Sequence, residues 1–129
     1  MTASNRTLLA LTCTASLLAT TAYAEVDVSK LPAPAAKTGV TYEKDIKPLV
    51  EASCLKCHSG DRPKSKYSME TLENISKGGS SKEASVVAGQ SAKSPFVWYV
   101  ADLVEEMEMP PLDKRDTYPA FTKEQVALI

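Results

Sequence analysis

The sequence predicts an all-α domain joined by long loops. Three observations carry that prediction. No set of runs alternates apolar and polar residues as half-buried strands do. Helical spacing recurs in short stretches. A hydroxyl residue able to cap a helix stands before each of them: Thr41, Ser68, Ser94 and Thr122. There is no internal repeat.

The chain has 129 residues. It opens MTASNRTLLALTCTASLLATTAYA, in which Arg6 forms a short positive region and Leu8 to Leu18 an apolar one. Ala22-Tyr23-Ala24 then fits the small-residue cleavage pattern, so residues 1–24 are expected to be a secretory signal peptide, with the periplasm as destination. Threonines interrupt the apolar run, which is too short to span a bilayer. Leu11-Thr12-Cys13 is a poor lipid-attachment pattern, and the cleavage site downstream would remove Cys13. Removal of 24 residues from 129 leaves 105, enough for one small domain. Without Arg6 the 15 basic residues become 14 against 16 acidic ones, a net charge of −2. No basic field invites nucleic acid, and no second apolar segment suggests a membrane span.

Residues 25–39 contain VDVSKLPAPAAKTG, rich in proline and small residues, and read as a flexible leader or a wrapped arm. The domain is expected over 40–129. Thr41 is expected to cap a helix through YEKDIKPLVEAS, with Ile46, Leu49 and Val50 on one face. Pro48 lies inside this pattern and should start or bend the regular helix. SGDRPKSKYS reads as a polar loop. Ser68 then caps METLENISK, ended by Gly78-Gly79, with Leu72 and Ile75 as its apolar stripe. Val86-Val87 anchors an otherwise irregular connection. Ser94-Pro95 opens the clearest helix, FVWYVADLVEE, with Phe96, Val97, Val100, Leu103 and Val104 on one period. Glu105 and Glu106 would then oppose the dipole at its end, with no local gain to offset the cost. Met109-Pro110-Pro111 stops it. Thr122 and Gln125 form a capping-box pattern for a short last helix through Val126, Leu128 and Ile129.

Between the first helix and the polar loop stands Cys54-Leu55-Lys56-Cys57-His58. It holds the two cysteines left after processing and the only histidine. With two cysteines a disulfide-rich framework is excluded. Zinc would find three ligands where a structural site takes four. A thiol–disulfide oxidoreductase commonly carries its C-x-x-C after a strand of an α/β domain, and none is predicted here. An inert disulfide is a further alternative. C-x-x-C-H is the attachment signature of haem c. Two sulfurs bond the porphyrin vinyl carbons, and the adjacent imidazole reaches the iron. Cys54, Cys57 and His58 are therefore the candidate haem-binding residues, for one covalently attached haem c. Such a cofactor would offer apolar surface to Ile46, Leu49, Phe96, Val97, Val100 and Leu103, each of which could equally pack on another helix. Trp98 or Tyr99 could turn its polar tip to a propionate.

With one histidine, bis-histidine ligation within the chain is excluded. The remaining strong candidate for the second axial position is methionine. Met69 reads as core filling. Met107 and Met109 stand two apart in VEEMEMPP and should point differently. Met109, braced by two prolines, is the candidate iron ligand opposite His58, with Met107 as alternative. A closed thioether-ligated iron suits a one-electron shuttle. An open distal position would suit a ligand sensor or a peroxidase-like enzyme. No acid–base dyad or nucleophilic triad is nominated, and a carrier needs none.

These residues together resemble the class I cytochromes c. More narrowly, they are similar to the c-type cytochrome domains of planctomycete and verrucomicrobial proteins. The likeness runs through YEKDIKPLVEASCLKCHSG, SKGG, VVAGQSAKSPF and MEMPP followed by FTKEQVALI, about Val40 to Ile129. It implies a small helical fold around one covalent haem, and electron exchange with a protein partner at an exposed haem edge. Lys44, Lys47, Lys56, Lys64 and Lys66 could steer an acidic partner there, or form an ordinary charged surface. The family's last helix runs beyond the position of Ile129. The sequence is therefore expected to be truncated, or its last turns supplied otherwise. Arg62 to Tyr67 is also more polar than the family's loop after the motif.

Overall fold

The computed structural model describes residues 26–129, so the expected signal peptide and Cys13 lie outside the described residues. Within them the fold is all-α and no strand occurs. The regular helices are α1 (Lys47–Ser53), α2 (Leu72–Lys77), α3 (Pro95–Val100) and α4 (Lys123–Val126). The longest has 7 residues. An isolated helix shorter than about 12–15 residues is marginal in water, so these four hold only through packing. None of the described helices is long and apolar enough to cross a membrane.

The core that holds them comprises Val50 of α1, Cys54, Met69, Ile75 of α2, Phe96, Val97 and Val100 of α3, Phe121, and Val126 of α4. Val50 and Val97 are each 1 % exposed. Complete burial of such a side chain contributes about 1.5–3 kcal/mol. Phe96 and Phe121 meet edge to face at 6.4 Å. Ser53 Oγ donates to Pro119 O at 2.7 Å, which fixes the segment before α4 against the end of α1.

Local chemistry explains where the elements begin. Thr41 caps the first one, accepting the Lys44 N–H. The chain then makes a π-helical turn over Tyr42–Ile46 before α1. Pro48 falls in the first turn of α1, where a missing N–H costs least. Asp45 returns the cap by accepting the Thr41 N–H at 2.8 Å, and it pairs with Lys37 of the preceding segment. At the other end of the chain, Thr122 and Gln125 form the expected capping box.

Three helix limits differ from the sequence expectation. α4 ends at Val126 and not at Ile129. α2 is capped by Thr71, whose Oγ1 accepts the Asn74 N–H at 3.1 Å, while Ser68 bonds to Glu70. α3 stops at Val100, before Leu103 and Val104. The Leu103 N–H reaches back to Trp98 O at 2.9 Å, and Asp102 takes a left-handed φ of 56°. Glu105 and Glu106 lie beyond the helix end, so the expected conflict with its dipole does not arise. Ser94 stands at the N-cap of α3, but its hydroxyl accepts from Val87 N and donates to Gln90 O instead.

Residues 26–39 lie along the domain. Leu31 packs on the core, and the Ala35 N–H donates to Ala127 O at 2.8 Å. Lys37 first, then the Thr41 N–H, holds the Asp45 carboxyl below its ordinary value. The lowered value means the folded state favours the carboxylate. The resulting stability is present above the unfolded value, about 3.9, and is lost as pH falls through the folded value. Asp45→Asn should therefore melt below wild type at pH 7, and the gap should close in acid. Melting curves across that range check it, and a gap that persists in acid would refute the assignment.

Candidate functional site

The CLKCH segment continues α1 by one tight turn. The Cys54 N–H bonds Val50 O at 2.8 Å, and both the Cys57 N–H (3.1 Å) and the His58 N–H (3.0 Å) bond Cys54 O. Residues four apart in such a turn share a face, so Cys54 and His58 are stacked. Both are buried, Cys57 is half-buried and Lys56 is exposed. The two sulfurs are free thiols. Burial, with a smaller push from Cys57, raises the Cys54 thiol to about 12. A sulfur in that state is no ready thiolate. No group of three or more His, Cys, Asp or Glu among the described residues converges as a metal site.

His58 is held from behind. Its Nδ1 lies 3.0 Å from Tyr67 O. A carbonyl can only accept, so the proton belongs on Nδ1 and the Nε2 lone pair is left to bind. Burial pushes the imidazole below its ordinary value, while the Tyr67 and Lys64 backbone groups pull it back up. The Tyr67 ring also meets the imidazole edge to face at 5.6 Å.

The polar loop after the motif makes this arrangement possible. The Lys64 N–H bonds Cys57 O at 2.9 Å, and the Met69 N–H bonds His58 O at 2.7 Å, so the middle and the far end of the loop are strapped to the motif. Tyr67 Oη donates to Ile75 O at 2.9 Å and lies 2.8 Å from Ser85 Oγ. Burial raises that phenol to about 12, which keeps it a donor through the neutral range. Sequence reasoning missed Tyr67. Its role here is carried by a carbonyl, and every residue has one.

Met109 is half-buried and packs against the apolar cluster that contains Cys54. Its N–H bonds Tyr99 O at 2.9 Å, and the following Pro110 is buried. Met107 is 43 % exposed, and Met69 is buried in the core beside the His58 backbone. Of the three, Met109 combines an anchored backbone with a side chain between core and solvent. Trp98 Nε1 already donates to Ala92 O at 3.0 Å.

A cavity of about 290 Å³ lies between the 31–40 arm and α4, and an apolar one of about 160 Å³ lies beside Ile46, Val50 and Phe96. Neither is lined by Cys54, Cys57, His58 or Met109. The donors nonetheless fit a haem. Two free thiols and an imidazole with its outer nitrogen fixed suit covalent attachment and iron ligation. Of the five lysines expected to steer a partner, Lys44, Lys56, Lys64 and Lys66 are exposed, and Lys47 is paired with Glu43 at 2.9 Å.

Residues 54–113 match the family model described as planctomycete cytochrome C. No curated protein and no solved structure matches the chain. The match begins at the first cysteine of the motif and runs past the Met109 loop. On that match, residues 54–113 are similar to the c-type cytochrome domains of the planctomycete type.

Proposed function

We propose that this chain is an exported monohaem cytochrome c that carries single electrons between protein partners. Cys54 and Cys57 would hold the porphyrin by thioethers, and His58, through Nε2, and Met109 would ligate its iron. The observation that supports this most directly is the Nδ1 bond from His58 to the Tyr67 carbonyl, which selects the tautomer a ligand needs. When bound, haem c supplies a one-electron iron couple whose potential a thioether ligand raises. The chain's part is to hold both axial side chains still, so that little rearranges as charge changes. Glu105, Glu106 and Glu108 carry negative charge beside the methionine loop and would favour the oxidised state. The exposed lysines around the motif would meet an acidic partner. The thiol–disulfide reading is disfavoured by a buried Cys54 held as a thiol.

The test is an optical spectrum of the protein matured in a haem-attaching periplasm. Wild type should carry haem that survives denaturation and show the ferric band of an iron–thioether bond. Met109→Ala should lose that band, lower the potential and bind imidazole about tenfold tighter, since no thioether then competes for the iron. Covalent haem without the band, with tight binding of small ligands to wild type, would favour a sensor or peroxidase-like protein instead.

A further inference from the structure

The loop that presents Met109 has an unusual anchoring problem. Pro110 and Pro111 follow it directly, and proline has no N–H to donate. On that side the backbone can be secured only through its carbonyls. One side chain does so: Arg115 Nε donates to Pro110 O at 3.0 Å. The rest of the guanidinium is itself fixed. Nη1 donates to Asp102 Oδ2 at 2.9 Å and Nη2 to Asp102 Oδ1 at 2.6 Å.

Asp102 marks the corner where α3 ends, in a left-handed conformation that few residues other than glycine, asparagine and aspartate accept. Three residues earlier, Tyr99 O accepts the Met109 N–H. The methionine is thus referred twice to the end of α3. Its N–H side is held by Tyr99, and its carbonyl side by Pro110, Arg115 and Asp102. Exposed ion pairs usually contribute little, because two mobile side chains must be ordered for a screened attraction. This pair differs in being a two-pronged fork with a third bond to backbone, and the Arg115 side chain is only 23 % exposed.

We propose that Arg115 is a positioning residue for Met109, holding the carbonyl after it to the Asp102 corner so that the thioether stays in place. The proposal rests on the reading of Met109 as an iron ligand. A thioether is a weak ligand and gains most from being held in advance, because ordering the loop then costs nothing at the moment of binding. Lysine cannot replace the arginine, since its ammonium lacks the planar fork needed to serve Asp102 and Pro110 together.

The test compares haem-loaded wild type with Arg115→Ala, Arg115→Lys and Asp102→Asn. Asparagine tolerates the left-handed corner, so the last variant keeps the backbone while weakening the fork. The expected result is a weakened iron–thioether band in all three, imidazole binding tighter by about tenfold, and a lowered potential in each, with haem per chain unchanged. A purely electrostatic role predicts otherwise. Loss of the positive charge and loss of the negative charge would move the potential in opposite directions, and Arg115→Lys would match wild type. A purely structural role would lower the melting temperature and leave band, potential and imidazole affinity as in wild type. Either pattern overturns the proposal. If Arg115→Ala does not mature, Asp102→Asn and Arg115→Lys decide alone. Wild type with the band but unaffected variants removes this proposal only, whereas wild type without the band removes the Met109 reading and this one together.

Discussion

A protein with alanine at both Cys54 and Cys57 is expected to leave a haem-attaching periplasm with no haem that survives denaturation. Wild type should keep its haem through the same treatment. The expectation follows from the chemistry of attachment: each thioether needs one of these sulfurs, and no other cysteine is present after residue 24. Cys57→Ala alone should retain haem through Cys54, with absorption shifted to longer wavelength because one vinyl group stays conjugated. Retention of denaturation-resistant haem by the double variant would defeat the thioether assignment. Two titratable thiols per chain in denatured wild type would defeat it as well, since thioether formation consumes both.

Gly79→Ala should damage the fold and the histidine's support together. A Cβ built at Gly79 meets Ser65 O at 2.6 Å and Tyr67 Cβ at 2.7 Å. Ser65 O is fixed backbone that already accepts the Ser80 N–H, so it cannot move aside cheaply. Overpacking of this kind costs about 1–3 kcal/mol. The segment that must yield is also the one that offers its carbonyl to His58. The variant should therefore melt lower and also show an altered iron–histidine signature in the haem-loaded protein. A lower melting point with that signature unchanged would separate Tyr67 from the control of His58.

Features written in local chemistry were legible in the sequence. Thr41 and the Thr122–Gln125 pair could be read because a cap is made between neighbours in the chain. The placement of Pro48 in the first turn of α1 was legible for the same reason. Cys54, Cys57 and His58 could be nominated from the sequence because the C-x-x-C-H spacing is itself the attachment pattern. Ser68 was misread because Thr71, three residues on, offers the same hydroxyl nearer the helix. α3 was drawn too long because Leu103 and Val104 continue its apolar period. What ends it is tertiary, with the Asp102 corner bonded to Arg115 and Met109 bonded to Tyr99. The Tyr67 carbonyl left no trace, since a backbone acceptor is independent of residue type. Nor did the Asp102–Arg115 fork, whose members stand 13 apart with no pattern to join them.

The strapped loop after the motif has a practical consequence for engineering. Surface loops are ordinarily where a fold accepts extra residues, because little depends on their path. Between Ser59 and Met69 that rule is inverted. The path delivers a carbonyl to an imidazole, and its middle and far end are hydrogen-bonded to Cys57 and His58. A peptide tag or a labelling sequence spliced there would detach the histidine's support even though the site is mostly polar and exposed. The Ala88–Gly89 tip is exposed too, but Gly89 has a left-handed φ of 71°, and the flanking Val87 N–H and Gln90 O hold the buried Ser94 hydroxyl, so a tag there would also cut a support. In this small domain the permissive positions are found by following the carbonyls, not by choosing the segments without helix.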